Sequence, residues 1–176
     1  MISVLGVKRY EVRLEPHNRE WVSLFEVTRK EIQLLLGSNV KDIQHIGSTA
    51  IKDIVAKPLL DVAVIVYSLS ELDIAGMESA GFICMDELGV PGRCYFVKRR
   101  DGDFSTHHIH CYEEGNQNLM DCIAFRDFLN SHPHYAMQYS NLKAQLCEKF
   151  QNDRAKYTEE KTNFVKMILH LAYPNP

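Results

Sequence analysis

The spacing of apolar residues switches between helical and strand periods along the chain. Between Asn18 and Gly37 apolar residues recur every three or four positions, which predicts an amphipathic helix that Asn18 caps and Gly37 ends. Residues 40–46 and 59–66 are then predicted to form strands, and the run 59–66 is largely β-branched and apolar. The second of these runs is almost uninterrupted, as is typical of a strand that is buried on both faces.

Two thirds of the way along the chain the pattern becomes helical. Before that point, further strands are predicted over residues 82–85, 93–98 and 105–112. Helical spacing begins at Gln117, and Pro133 starts a second helix. A third helix is predicted from a cap at Thr158 to about Leu171.

These elements predict an α+β fold, with a mixed β-sheet packed with helices and a C-terminal helical extension. No linker or repeat divides the sequence, so we expect one domain over residues 1–176. Its sheet core lies within residues 1–114, and the C-terminal helices occupy residues 115–176.

Composition narrows the classes of function. Of the 176 residues, 45% are hydrophobic and 24% charged, which is typical of a globular domain. The net charge of −3 and the pI of about 6.2 argue against strong binding to nucleic acids. No apolar run is long enough for a membrane span, and the five cysteines contain no Cys-x-x-Cys pair. We expect a cytoplasmic protein with reduced cysteines, with no membrane partner and with a homodimer as the default assembly.

One carboxylate interrupts the apolar strand over residues 59–66. Because alternate residues of a strand share a face, Asp61 lies on the same face as Ala63 and opposite to Leu60 and Val62. An unpaired ionised carboxylate is too costly to bury. Asp61 therefore indicates either an open site or an internally satisfied polar network.

A Gly-Ser pair precedes this carboxylate. Gly47 and Ser48 are separated from Asp61 by twelve residues, which is the arrangement seen in nucleotidyltransferases of the polymerase-β type. There the Gly-Ser loop approaches triphosphate oxygens, and carboxylates on the strand hold divalent metal. Taken alone, the pattern has low specificity.

Four separated segments are more specific. They are HIGSTAIKDIVAKPLLDV at 45–62, HHIHCY at 107–112, AFRDFLNSHP at 124–133 and YTEEKTNFV at 157–165. In this order they resemble the GrpB family, whose members are assigned to the nucleotidyltransferase fold. The resemblance extends from about Val12 to Ile168 and implies a nucleotidyltransferase-like sheet. It also implies a metal-dependent protein that acts on, or binds, a nucleotide or phosphorylated small molecule.

The sequence departs from the catalytic pattern of that fold at Ala63. Nucleotidyltransferases of this class carry a second carboxylate two residues after the first, on the same strand face. Two-metal phosphoryl transfer needs several hard oxygen ligands to hold both cations. The alternative is a non-catalytic protein that binds metal, a nucleotide or another phosphorylated ligand and keeps the fold without transfer chemistry.

Histidines provide candidates to complete the site. His108 and His110 share one face of the strand over residues 105–112, and His45 precedes the Gly-Ser pair. With Asp61 they form a predicted set of metal ligands, in which Asp61 and His110 are the catalytic candidates. Histidine ligands favour zinc over magnesium, although Mg²⁺, Mn²⁺ and Zn²⁺ all remain candidate cofactors. The competing interpretation is a polar core in which these histidines pair with a carboxylate.

Basic residues near the Gly-Ser pair are candidates for phosphate binding. The predicted set is Gly47, Ser48, Lys57, Arg93, Arg126 and Lys161. Guanidinium groups suit phosphate, but Arg126 has Asp121, Asp127 and Asp61 as alternative structural partners. For Lys57 and Lys161, the alternative to phosphate binding is a side chain that is simply solvated. A third class, a structural protein without a ligand, would require the Asp61 and His110 cluster to be internally satisfied.

Overall fold

The computed structural model describes residues 4–173. Its strands are β1 Val7–Lys8, β2 Val40–Ile46, β3 Leu60–Val66, β4 Phe82–Cys84, β5 Arg93–Arg100 and β6 Phe104–Glu113. They form one sheet in the order β2-β3-β6-β5-β4, and β1 pairs with the start of β6. Strands β3 and β6 are parallel, and the other pairs are antiparallel. The predicted mixed sheet is confirmed.

Helices account for most of the remaining residues. They are α1 Glu20–Leu36, α2 Ile74–Ser79, α3 Gln117–Ser131, α4 Pro133–Lys149, α5 Arg154–Glu160 and α6 Thr162–Ala172. The α+β class and the helical C-terminal extension, formed by α3 to α6, are therefore confirmed. Across residues 4–173 we find no helix with the length and apolar character that crossing a bilayer requires.

Helix α1 packs one apolar stripe against the sheet. Its buried residues are Trp21, Phe25, Thr28, Ile32 and Leu36, which follow the helical period. At the start, Asn18 Oδ1 accepts a hydrogen bond from the Glu20 backbone N–H at 2.9 Å, and at the end Gly37 adopts φ +55°. The predicted start and end signals thus act as expected.

Strand β3 has a different environment on each face. Leu60, Val62 and Val64 belong to the core that also contains the buried face of α1. Ala63 and Ile65 pack in a second apolar cluster with residues of α3. Because helices cover both faces, the continuous apolar sequence of β3 is explained.

The C-terminal end of the chain differs from the prediction of one helix capped at Thr158. Asp153 caps α5 by accepting a hydrogen bond from the Lys156 backbone N–H at 3.0 Å. Thr158 lies within α5, where its hydroxyl donates to the Arg154 carbonyl. A break at Lys161 then separates α5 from α6. The prediction was wrong because an aspartate five residues earlier supplies the stronger cap.

Candidate functional site

Asp61 lies near the start of β3, between strands β2 and β6. The antiparallel partner places Ile46 opposite Asp61, and the parallel partner places His108 opposite it. Since His108 and His110 are two residues apart on β6, their side chains share one face. His108 Nδ1 lies 3.3 Å from Asp61 Oδ1, and His110 Nε2 lies 3.4 Å from the same oxygen. The structure therefore brings these three side chains together.

The separations of the three ligand atoms suit a metal ion. Within residues 4–173, Asp61, His108 and His110 are the one group of three His, Cys, Asp or Glu residues whose ligand atoms all lie within 4.8 Å of one another. Tetrahedral Zn²⁺ binds nitrogen and oxygen at about 2.0–2.2 Å, which places neighbouring ligand atoms roughly 3.3 Å apart. The two observed distances have this spacing. Three protein ligands leave a fourth position for water or substrate, as in catalytic zinc sites.

The charge states in this cluster also suit metal binding. Burial lowers the pKa of His108, and its hydrogen bond and charge interaction with Asp61 offset this only in part. Burial alone would raise the pKa of Asp61, but hydrogen bonds from His108 and His110, together with their charges, place it well below the usual range. The cluster thus combines a neutral imidazole with an ionised carboxylate, which are the forms that bind metals.

His110 also contacts a cation. Arg93 Nη1 lies 3.3 Å from His110 Nδ1, while other nitrogens of the guanidinium donate to the backbone carbonyls of Glu87 and Leu88. Arginine can only donate, so Nδ1 is the acceptor and Nε2 carries the proton that faces Asp61. Arg93 is therefore positioned by the loop before β5 and contacts the cluster through one histidine.

His45 lies outside the three-residue cluster. Its Nε2 is 2.9 Å from Thr49 Oγ1, and its ring stacks on Phe25 with a centroid distance of 4.8 Å. Burial lowers the pKa of His45 to about 4, although the charge of Asp61 acts in the opposite direction. The neutral ring connects α1 to the turn that follows β2, so its contacts are those of a supporting residue.

The Gly-Ser turn packs directly against the carboxylate. Gly47 has φ +70° and ψ −172°, a region that is nearly restricted to glycine. A Cβ atom at this position would lie 2.5 Å from Asp61 Oδ2. Ser48 begins the short 3-10 turn Ser48–Ala50. Glycine is therefore required both by the backbone conformation and by the close approach of Asp61.

A basic cavity of about 150 Å³ opens on one side of Asp61. The cationic residues that line it are Lys57, Lys143, Arg154 and Lys161, together with Ser48, Thr49 and His108. Lys57 Nζ and Lys161 Nζ both lie near the Tyr157 ring, 4.5 and 4.4 Å from its centroid. Four basic side chains and one carboxylate in so small a space suit an anion with several charges.

Two of these cations, Lys143 and Arg154, were not singled out from the sequence. Lys143 lies on the buried stripe of α4 between Tyr139 and Leu146 and is 1% exposed. A lysine on the apolar stripe of an amphipathic helix is an unusual feature, and it is the signal that identifies Lys143 in retrospect. Arg154 begins α5 and donates to the Arg9 carbonyl at 3.0 Å. Its sequence context contains no such signal.

Burial and mutual repulsion lower the pKa values of all three lysines in the basic cavity. Burial is the main cause in each case. The pKa of Lys143 falls to about 6, with the charges of Lys161 and Lys57 contributing. The pKa of Lys57 falls to about 7, with contributions from Arg154 and Lys161. The pKa of Lys161 falls less, to about 8, because the charge of Asp61 partly offsets the effect of burial. A bound anion would favour the protonated forms.

The depressed pKa of Lys143 predicts a pH-dependent stability. Between about pH 6.5 and 8, Lys143 is mostly neutral in the folded protein and charged in the unfolded chain, so the unfolded state binds more protons and the free energy of unfolding rises with pH. We expect Lys143→Met to reduce that slope by up to about 1.4 kcal/mol per pH unit. Urea denaturation at several pH values measures it. Lys149→Met, on the exposed side of the same helix, should keep the wild-type slope, and an unchanged slope in Lys143→Met would contradict the assignment.

Arg126 forms hydrogen bonds with neighbouring residues and does not line the basic cavity. Its Nη1 donates to Gln44 Oε1 and to the His45 carbonyl, both at 2.8 Å. Its Nε donates to Asp127 Oδ1 at 2.7 Å. Of the predicted alternatives, pairing with Asp127 is the one that the structure contains. These contacts attach α3 to β2 next to the site.

The comparisons with known proteins agree with this architecture. A family model described as GrpB protein matches residues 11–171. The chain belongs to the GrpB family. The glutamate-rich protein GrpB of Alkalihalophilus pseudofirmus is 38% identical over 95% of this chain and 99% of its own length. UPF0157 protein YqkA of Bacillus subtilis is 34% identical over 89% of this chain, which corresponds to 46% of that protein.

A solved structure supports both the family and the fold. The crystal structure of the conserved protein GrpB from Enterococcus faecalis superposes with a TM-score of 0.85 and is 32% identical. The match covers 91% of this chain and 96% of that one. The GrpB resemblance predicted from four sequence segments is therefore confirmed, whereas the names of these relatives specify no reaction.

Proposed function

We propose that this GrpB-family protein binds a nucleotide or another phosphorylated small molecule together with a divalent metal ion at Asp61. The observation that carries the proposal is that one carboxylate, Asp61, lies next to both the histidine pair and the basic cavity. On one side Asp61 contacts His108 and His110, and it also lines the cavity that contains four basic side chains. A metal ion at the cluster and the lysines beside it would together neutralise a polyphosphate.

The roles of the residues follow from these positions. Asp61, His108 and His110 would hold the metal ion, which supplies Lewis acidity towards a phosphoryl oxygen. Lys57, Lys161 and their neighbours in the basic cavity bind the phosphate oxygens and orient the ligand. The Ser48 hydroxyl and the backbone of the turn after β2 provide further donors. A protein with this arrangement would transfer a nucleotidyl or phosphoryl group.

Ala63 favours a second candidate function, binding without transfer. Ala63 is fully buried in the apolar cluster below α3, so the position of the usual second carboxylate contributes no oxygen ligand. One carboxylate and two imidazoles suit one transition-metal ion better than a pair of magnesium ions. In this version the protein recognises the phosphorylated ligand and leaves it intact.

The test is a calorimetric titration of inorganic triphosphate and of ATP, each with Zn²⁺, Mn²⁺ or Mg²⁺. We expect metal-dependent binding by wild type and at least about tenfold weaker triphosphate binding by Lys161→Gln, since a charged hydrogen bond is lost. Lys166→Gln, an exposed lysine on α6, is the matched control and should bind as wild type does. With water as the acceptor in this assay, release of pyrophosphate (nucleotidyl transfer) or of ADP (phosphoryl transfer) from ATP would select transfer, and binding with intact ATP would select the second candidate. Absence of any phosphate or metal binding by the folded protein would refute both.

Arg93 provides an independent test of the metal site. For His110 Nε2 to bind a metal ion, the ring proton must move to Nδ1, which faces the Arg93 guanidinium. Arg93→Met removes this competing donor, and we expect about tenfold tighter binding of Zn²⁺, the value of roughly one hydrogen bond. Competition with a chromogenic chelator measures the dissociation constant. Arg99→Met, on the same strand, is the control, and weaker zinc binding by Arg93→Met would show that Arg93 supports the site.

A further inference from the structure

A second cavity, distinct from the basic one, reaches the same carboxylate. It has a volume of about 220 Å³, and its lining consists of Ile46, Cys122, Phe125, Val165 and Leu169 together with Gly47, Asp61, Asp121 and His110. We refer to it as the apolar cavity. Asp61 lines both cavities. Of the two histidines, His108 lines the basic cavity and His110 lines the apolar cavity.

The lining of the apolar cavity contains few groups that could bind a polar ligand. Burial raises the pKa of the Cys122 thiol to about 11, so this side chain is neutral and acts as a small apolar group. Asp121 Oδ1 already accepts hydrogen bonds from Gln117 Nε2 at 2.7 Å and Tyr173 Oη at 2.9 Å. Besides Asp61 and His110, which belong to the metal cluster, a sugar would find only the second oxygen of Asp121 as a partner among the lining side chains, and a second phosphate group would meet two carboxylates.

The volume is large enough for an organic group. A cavity of about 150 Å³ lined by apolar residues holds a benzene molecule. The apolar cavity is larger, so it can accept an aromatic ring or a short branched hydrocarbon chain. The turn at Gly47 and Ser48 runs between the two cavities, with Gly47 in the lining of one and Ser48 in the lining of the other. A ligand that crosses Asp61 would reach both.

From this juxtaposition we infer that the natural ligand is a phosphate ester with an apolar organic group, which occupies the apolar cavity while its phosphate occupies the basic cavity. The inference rests on the proposed function, because it names the ligand class of the same site. A metal ion at Asp61, His108 and His110 would lie at the junction, beside the bond between phosphate and organic group. Sugar phosphates are disfavoured because their hydroxyl groups would enter the apolar cavity unpaired.

The experiment compares n-hexyl phosphate and phenyl phosphate with glycerol 3-phosphate and inorganic phosphate by calorimetry, in the presence of Zn²⁺. We expect the hexyl and phenyl esters to bind at least about tenfold more tightly than inorganic phosphate, since even one methylene in an apolar pocket contributes that much. Glycerol 3-phosphate should show no such gain. Equal affinities for all four compounds would overturn the inference and leave the proposed function intact, whereas no binding of any of them would refute the proposed function itself.

A variant that fills the apolar cavity localises the effect. Cys122→Phe introduces a ring where the organic group is expected, so the gain of the hexyl ester over inorganic phosphate should disappear while inorganic phosphate binds as it does to wild type. Met120→Phe, an exposed position on the same helix, is the control and should retain the gain. If Cys122→Phe proves unstable, Leu169→Phe provides the same test from α6. A gain that persists in both folded variants would place the organic group elsewhere and overturn the inference.

Discussion

Gly47→Ala is expected to destabilise the protein by about 2–3 kcal/mol and to disrupt the candidate site at the same time. The backbone conformation at φ +70° and ψ −172° costs a residue with a side chain on the order of 1–3 kcal/mol. The added methyl group would also lie 2.5 Å from Asp61 Oδ2, so Asp61 must move from its contacts with both histidines. Urea denaturation measures the stability, and zinc titration measures the site.

The matched control for this substitution is Gly115→Ala. Gly115 also has a positive φ, +84°, but a methyl group there would have no neighbour within 4 Å. We expect it to lose about 1–2 kcal/mol of stability from backbone strain alone and to bind Zn²⁺ as wild type does. If Gly47→Ala retained wild-type zinc affinity, the close packing of the turn against Asp61 would have no role in the site.

Asp61→Asn is expected to weaken metal binding by at least about a hundredfold, since it removes the one carboxylate of the cluster while preserving its shape. Substitution of groups that only support a metal ligand already weakens binding by about 10–100-fold, and Asp61 would be a ligand itself. The thermal stabilisation of wild type by Zn²⁺, about 2.7 kcal/mol at a hundredfold excess over the dissociation constant, should fall to about 0.4 kcal/mol or less at the same zinc concentration.

Metal-free stability separates this effect from misfolding. Asp127→Asn, which removes an exposed carboxylate paired with Arg126, is the control and should keep the zinc response. Asp61 has a pKa well below its ordinary value of 3.8, so the stability it contributes is present above about pH 4 and decreases as the pH falls below that value. A folded Asp61→Asn protein with undiminished zinc stabilisation would show that the metal ion binds elsewhere.

The elements were predictable where a local signal marked their ends. Asn18 and Gly37 delimit α1 as expected, and Pro133 begins α4. The end of the chain was harder, because Asp153 and Thr158 both have side chains that can cap a helix. Aspartate is the stronger cap of the two, but the contacts of α5, which the sequence does not show, determine which residue begins the helix.

The arrangement of the candidate site was predictable in part. The alternation of residues along one strand was sufficient to place His108 and His110 on one face. The same alternation did not indicate that Arg126 would donate hydrogen bonds to Gln44 and to the His45 carbonyl. A basic side chain has many possible acceptors in sequence, and the one it contacts depends on how a helix is rotated against the sheet.

By itself, the sequence determined the periodicity of each element, the glycine that allows the turn before Asp61, and the family to which the chain belongs. These are local properties or direct comparisons of residues. Only the tertiary structure decided that β3 pairs in parallel with β6, which places His108 opposite Asp61. It also decided that Lys143 from α4 and Arg154 from α5 complete the basic cavity. Such contacts join distant segments, and packing of the whole chain selects them because no short stretch of sequence contains both partners.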